Sequence, residues 1–131
     1  MPPRVPVFKD IQISAAHAIR GHRRGCQNLH GHNYRVRVHA TAGELDELGM
    51  VIDFADLKAI VSDVVGPFDH RVINDIAPFD ETNTTAELIA QWVYREVRGR
   101  LAESPEADGR VRVARVEVWE TPTSCAIYEE S

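Results

Sequence analysis

The chain has 131 residues, a formal net charge of −5, and 44% hydrophobic and 27% charged residues; this predicts one globular domain over 1–131 and excludes a fibrous or disordered chain. The negative balance, with no lysine-rich block, argues against nucleic acid as a partner. No apolar run approaches the ~20 residues of a membrane span, and the start, "MPPRVPVFKD", lacks the apolar stretch of a secretory signal, so the expectation is a cytoplasmic protein away from membranes. In that compartment Cys26 and Cys125 are expected to be reduced, which favours a metal or catalytic role over a disulfide.

The first element predicted is a strand in "FKDIQISAAHA", where Ile11, Ile13, Ala15 and His17 alternate with Gln12, Ser14 and Ala16 at the period of a half-buried strand. Next comes "RGHRRG", residues 20–25, a glycine-bounded loop carrying Arg20, His22, Arg23 and Arg24, with the charge to hold a small phosphate-bearing substrate or simply to face solvent. "HGHNYRVRVHATA" reads as a second strand with His30, His32, Tyr34, Val36 and Val38 on one face. Asn33, Arg35, Arg37 and His39 fall on the other, where His39 is expected to be solvent-exposed.

"DFADLKAIVSDVV" has apolar residues at 54, 57, 61 and 64, with Asp53 placed as N-cap and Gly66-Pro67 as the stop, so a helix is predicted there. A second helix is predicted from near Thr84, where Thr84 and Glu87 fit a capping box. Its buried stripe would be Leu88, Trp92, Val93 and Val97. "VRVARVEVWE" is a strand whose alternation slips between Val113 and Ala114, as at a bulge; after the slip Val116, Val118 and Glu120 share a face. "SCAIYE" makes the last strand. The order ββααββ predicts an α+β fold, a four-stranded antiparallel sheet with two helices on one face. The other face and both edges would be uncovered, which predicts association with further copies.

A His-x-His pair on a strand offers two imidazoles on one face, and a hairpin would bring His17 beside them, giving three nitrogen ligands of the kind zinc takes. Cys26 lies four residues before His30. It either closes a structural cage as a fourth ligand or stands beside an open site as a thiolate base; spacing leaves both readings standing. Asp69 beside His70 suits a carboxylate-oriented imidazole as readily as a surface ion pair. Glu120 ends an apolar stripe, where a carboxylate either reaches solvent or finds a partner such as a ring edge with two parallel N–H donors.

Taken together, "AAH" at 15–17, "CQNLHGH" at 26–32, "GMVIDFADLK" at 49–58, "FDHRVIND" at 68–75, "NTTAE" at 83–87 and "VWETPTSCAIY" at 118–128 resemble, in order and spacing, the 6-pyruvoyl-tetrahydropterin synthase family. Within it the chain is most similar to the bacterial 6-carboxy-5,6,7,8-tetrahydropterin synthase branch of queuosine and 7-deazapurine biosynthesis. The resemblance implies the tunnelling fold, trimers stacked into a homohexamer, and active sites between subunits. It implies Zn2+ held by His17, His30 and His32, with Cys26 as base, Asp69 and His70 as a relay, and Glu120 as the pterin anchor. Thr85 and Glu87 would line the pterin pocket, and Arg23 and Arg24 would contact the triphosphate.

The implied reaction is a lyase conversion of 7,8-dihydroneopterin triphosphate to 6-carboxytetrahydropterin, acetaldehyde and triphosphate, with the metal as Lewis acid. Thr84 stands where the family usually has proline, and Ala86 where many relatives carry a hydroxyl. Cys26 argues against the branch that has glutamate there. The alternatives are a 6-pyruvoyl-tetrahydropterin synthase, which does not cleave the side chain, a noncatalytic zinc domain with Cys26 as a ligand, and a zinc hydrolase indifferent to Cys26.

Overall fold

The computed structural model describes residues 4–22 and 25–130. Arg23 and Arg24, the expected phosphate contacts, lie outside the described residues. The elements run β1 (Val7–His17), β2 (His30–Ala42), α1 (Phe54–Val65), α2 (Ala86–Glu103), β3 (Val111–Thr121) and β4 (Ser124–Tyr128). The strands form one antiparallel sheet in the order β1-β2-β3-β4. Both helices lie on one face of it, α1 against β1 and α2 against β3 and β4. The predicted α+β architecture is therefore the observed one.

Alternation in the strands sorts the faces. Ile13, Ala15 and His17 of β1 and Tyr34, Val36 and Val38 of β2 are buried against the helices. In β3 the pairing passes from His39↔Arg115 to Ala40↔Val113, so Ala114 is the extra residue of a bulge and Val116 and Val118 return to the core side. This is the slip predicted from the sequence. Asp53 caps α1 by accepting the Ala55 N–H at 2.7 Å, as expected. Phe54, the first of the apolar residues at helical spacing, is 54% exposed: it begins the helix, and burial falls to Leu57, Val61, Val64 and Val65.

α2 also departs from expectation. Its N-cap is Thr85, whose hydroxyl accepts the Leu88 N–H at 3.2 Å, so the Thr84–Glu87 capping box does not form. Thr84 is buried and committed elsewhere. Its hydroxyl donates to the Ala18 carbonyl at 3.0 Å and its own carbonyl accepts from the His17 ring at 2.8 Å. The buried stripe of α2 is Ile89, Ala90, Val93, Val97 and Leu101. Leu88 and Trp92 sit at its margin, with Trp92 against the rings of Phe68 and Phe79.

The sheet face away from the helices is not uniformly solvated. Glu117 is only 4% exposed there. It pairs with His39 and with Arg115, 3.5 Å away, and accepts the Trp119 indole N–H at 3.1 Å. His39 is consequently half-buried rather than exposed as predicted, because a carboxylate held this close to the sheet needs a partner. The β1 edge is also partly covered. The His70 N–H donates to the Ser14 carbonyl at 2.6 Å and the Ala16 N–H to the Arg71 carbonyl at 3.0 Å, so the loop after α1 runs along the end of β1.

Candidate active site

The β1–β2 register places His17 directly opposite His30 and Ala15 opposite His32. Strand periodicity keeps the three imidazoles on one face, and the hairpin brings them together. One ring nitrogen from each lies within 4.8 Å of the others. The His17 ring centroid is 4.6 Å from that of His30 and 5.1 Å from that of His32.

Two of the three rings are pre-set by backbone carbonyls. His17 Nδ1 donates to the Thr84 carbonyl at 2.8 Å and His30 Nδ1 to the Asn28 carbonyl at 2.7 Å. A carbonyl only accepts, so the proton of each neutral ring sits on Nδ1 and Nε2 carries the lone pair. The Nε2 atoms of His17 and His32 are buried and make no hydrogen bond. Burial, the largest influence on each, pushes the pKa of both rings below the ordinary imidazole value and keeps those lone pairs unprotonated. Three converging imidazoles, two of them oriented by carbonyls and two with a buried nitrogen that makes no hydrogen bond, are a donor set that suits a zinc ion.

Cys26 is half-buried in the β1–β2 connection, where its carbonyl accepts the Ile19 N–H at 2.7 Å. The group that could hold a metal ion among the described residues consists of the three histidines without it.

Around the cluster stand three carboxylates. Glu120 Oε2 is 3.3 Å from His32 Nε2, within ion-pair reach though without hydrogen-bond geometry. Its position depends on a second irregularity: Trp119 pairs with Cys125 and Thr121 with Ser124, leaving Glu120 as an unpaired extra residue, the local device by which strands re-aim a side chain. Glu87, free of any capping box, is exposed and shares a cavity of about 290 Å³ with Glu120, Ser124 and Ala126. Thr85 is not among the residues lining this cavity, and its hydroxyl is engaged in the α2 cap.

Asp69 and His70 lie on the other side of the site. Asp69 Oδ1 accepts the Ser14 N–H at 2.8 Å and is 3.1 Å from His70 Nδ1. The Ser14 N–H first, and then His70, hold its carboxyl below the usual carboxylate value. His70 has φ of +60°, a left-handed conformation uncommon outside glycine and associated with functional positions. Its side chain is 82% exposed and faces a cleft of about 510 Å³ lined also by Ser14, Ala16, His32 and Asn33. Arg20, weighed as a phosphate contact, donates through its guanidinium to the carbonyls of Phe79, Asp80 and Thr82, which makes it a brace between two loops.

Sequence reasoning gave Thr84 only a capping role and gave Asn83 and Asn74, though both stand in the quoted motifs, no role of their own; the three fix the strand end carrying His17 through partners 56 to 67 residues away, which no local pattern reveals.

A sequence model of the 6-pyruvoyl tetrahydropterin synthase family matches residues 6–131. The chain is 33% identical to the 6-carboxy-5,6,7,8-tetrahydropterin synthase of Haemophilus influenzae, over 95% of this chain and 98% of that one. It is 34% identical to the enzyme of the same name from Bacillus subtilis, over 92% and 82% respectively. The 6-pyruvoyl tetrahydropterin synthase structure from Caenorhabditis elegans superposes with a TM-score of 0.80 at 29% identity, covering 98% of this chain and 97% of that one. With the fold and nearly the whole sequence in agreement, the chain belongs to the 6-pyruvoyl tetrahydropterin synthase family.

Proposed function

We propose that the protein is a zinc-dependent 6-carboxy-5,6,7,8-tetrahydropterin synthase, a lyase that converts 7,8-dihydroneopterin triphosphate and water to 6-carboxytetrahydropterin, acetaldehyde and triphosphate in queuosine or related 7-deazapurine synthesis. The observation that carries this reading is the convergence of His17, His30 and His32, with two buried nitrogens that make no hydrogen bond, in a chain whose relatives bear that name. We read residues 1–131 as one cytoplasmic domain that assembles as a homohexamer, with sites between subunits. The partly uncovered sheet supports that assembly.

His17, His30 and His32 would hold the ion. When bound, it supplies Lewis-acid polarisation of the substrate's side-chain hydroxyls. Cys26, outside the ligand cluster, serves as the base that takes a proton from the side-chain carbon. His70, restrained by Asp69 at 3.1 Å, exchanges protons at the cleft it shares with His32. Glu120 receives the N–H donors of the pterin ring edge, a pairing that satisfies a carboxylate otherwise left beside His32. Glu87 and Thr85 border the ring, and Arg23 and Arg24 take the triphosphate.

The second reading, a 6-pyruvoyl-tetrahydropterin synthase, is favoured by the structural likeness to the C. elegans protein. One assay separates the two: zinc-loaded protein is given 7,8-dihydroneopterin triphosphate, the pterin is identified by mass and acetaldehyde is measured. 6-Carboxytetrahydropterin with acetaldehyde is expected. 6-Pyruvoyltetrahydropterin without acetaldehyde assigns the second reading, and no turnover by a folded, zinc-bound sample rejects both.

A further inference from the structure

β1 ends at His17, and the three residues after it continue without a strand beside them. Two asparagine side chains take the place of one. Asn74 accepts the Ala18 N–H at 2.9 Å and donates to the Ala18 carbonyl at 2.9 Å. Asn83 accepts the Arg20 N–H at 3.0 Å and donates to the Arg20 carbonyl at 3.1 Å. The two clamps fall on alternate residues, so each amide satisfies both backbone groups as a neighbouring strand would.

Asn83 makes one contact that Asn74 does not. Its Oδ1 also accepts the N–H of Thr84 at 3.0 Å, and Thr84 is the residue whose carbonyl receives the Nδ1–H of His17. His17 is fully buried, and its Nε2 has no partner. The direction of that lone pair therefore follows the ring, and the ring follows the Thr84 carbonyl. A main-chain carbonyl has no side chain that tunes it, so the groups that place Thr84 do so instead. These are the Asn83 Oδ1 and the Ala18 carbonyl that accepts the Thr84 hydroxyl.

We infer that Asn83 is a positioning residue for the metal site: its side-chain oxygen sets the Thr84 carbonyl, which sets the tautomer and orientation of His17. This rests on the reading of the three histidines as the metal site. Partners one step removed from a ligand are worth about 10- to 100-fold in metal affinity, and Asn83 acts on an orienting group of this kind at a distance of two hydrogen bonds.

The test is zinc affinity by chelator competition, with the ligand-field spectrum of the Co2+-substituted protein as a signature of geometry, on wild type, Asn83→Ala and Asn83→Asp. Asn83→Ala should weaken zinc about 10-fold, the lower end of that range, and alter the Co2+ spectrum. Asn83→Asp, which keeps the oxygen facing Thr84, should recover most of both. Arg110→Ala, which removes two hydrogen bonds to the Glu44 and Val51 carbonyls far from the cluster, should lower the melting temperature yet leave affinity and spectrum unchanged. Wild-type affinity in Asn83→Ala overturns the inference, as does an equal loss in Arg110→Ala. If Asn83→Ala fails to fold, Asn83→Gln carries the same amide one methylene farther out; weaker zinc there supports the inference and unchanged zinc overturns it. Undiminished zinc binding by His17→Ala overturns the metal-site reading itself, and is distinguished from the other failures because it appears with Asn83 intact.

Discussion

Binding of zinc should stabilise the fold by a margin that follows from linkage. An ion that binds the native state and not the unfolded one contributes about 4.1 kcal/mol at a free concentration of 1,000 times Kd. For 131 residues an unfolding entropy of about 2.1 cal/mol/K per residue gives about 0.28 kcal/mol/K. The melting temperature should then rise by roughly 15 °C between chelator-treated and zinc-saturated protein. In His17→Ala one of the three nitrogens that lie within 4.8 Å of each other is lost, and the rise should largely vanish. Differential scanning calorimetry on the four samples, wild type and variant with and without zinc, measures both differences. An equal melting temperature with and without zinc in the wild type refutes the argument. So does a full rise in the variant, which would place the ion elsewhere.

Without metal, the site should be sensitive to acid: His17 and His32 are held below the ordinary value of 6.5 mainly by burial, so the unfolded chain takes up protons first. Their contribution to stability is then complete above about pH 6.5 and declines below it toward the folded values, and chelator-treated protein whose stability is flat from pH 7.5 to 5.5 contradicts this. Cys26→Ala should keep zinc, since Cys26 lies outside the histidine cluster, and lose turnover by about 10²- to 10⁴-fold; released zinc would restore the closed-cage reading, and undiminished turnover would favour a hydrolase. Glu117→Ala leaves His39 and Arg115 without their carboxylate, with His39 16% and Arg115 41% exposed, and should cost about 2 kcal/mol, read as a drop in melting temperature of about 7 °C. A drop under a third of that would show the pair to be as weak as a surface one.

Alternation along two strands was enough to place three histidines on one face, because side-chain direction in a strand is a local property with a period of two. The same local logic located the β3 bulge at Ala114 and the Asp53 cap. It placed the α2 cap at Thr84, where the structure has Thr85. Both are threonines, and the choice falls to His17 and Ala18, which engage Thr84 from 67 and 66 residues away. His39 read as an exposed position for the same reason: its partner Glu117 is 78 residues distant, and only the β2–β3 register brings the two together. The re-aiming of Glu120 and the backbone pairing that carries Asp69 and His70 along β1 likewise exist only once the strand edges have met. Residue types and their period are written in the chain, and they were sufficient for the fold class and for the identity of the histidine cluster. Which hydroxyl caps, which carboxylate is buried and which carbonyl orients a ring were decided by contacts closed across long loops, where each buried polar group took the partner that folding brought within reach.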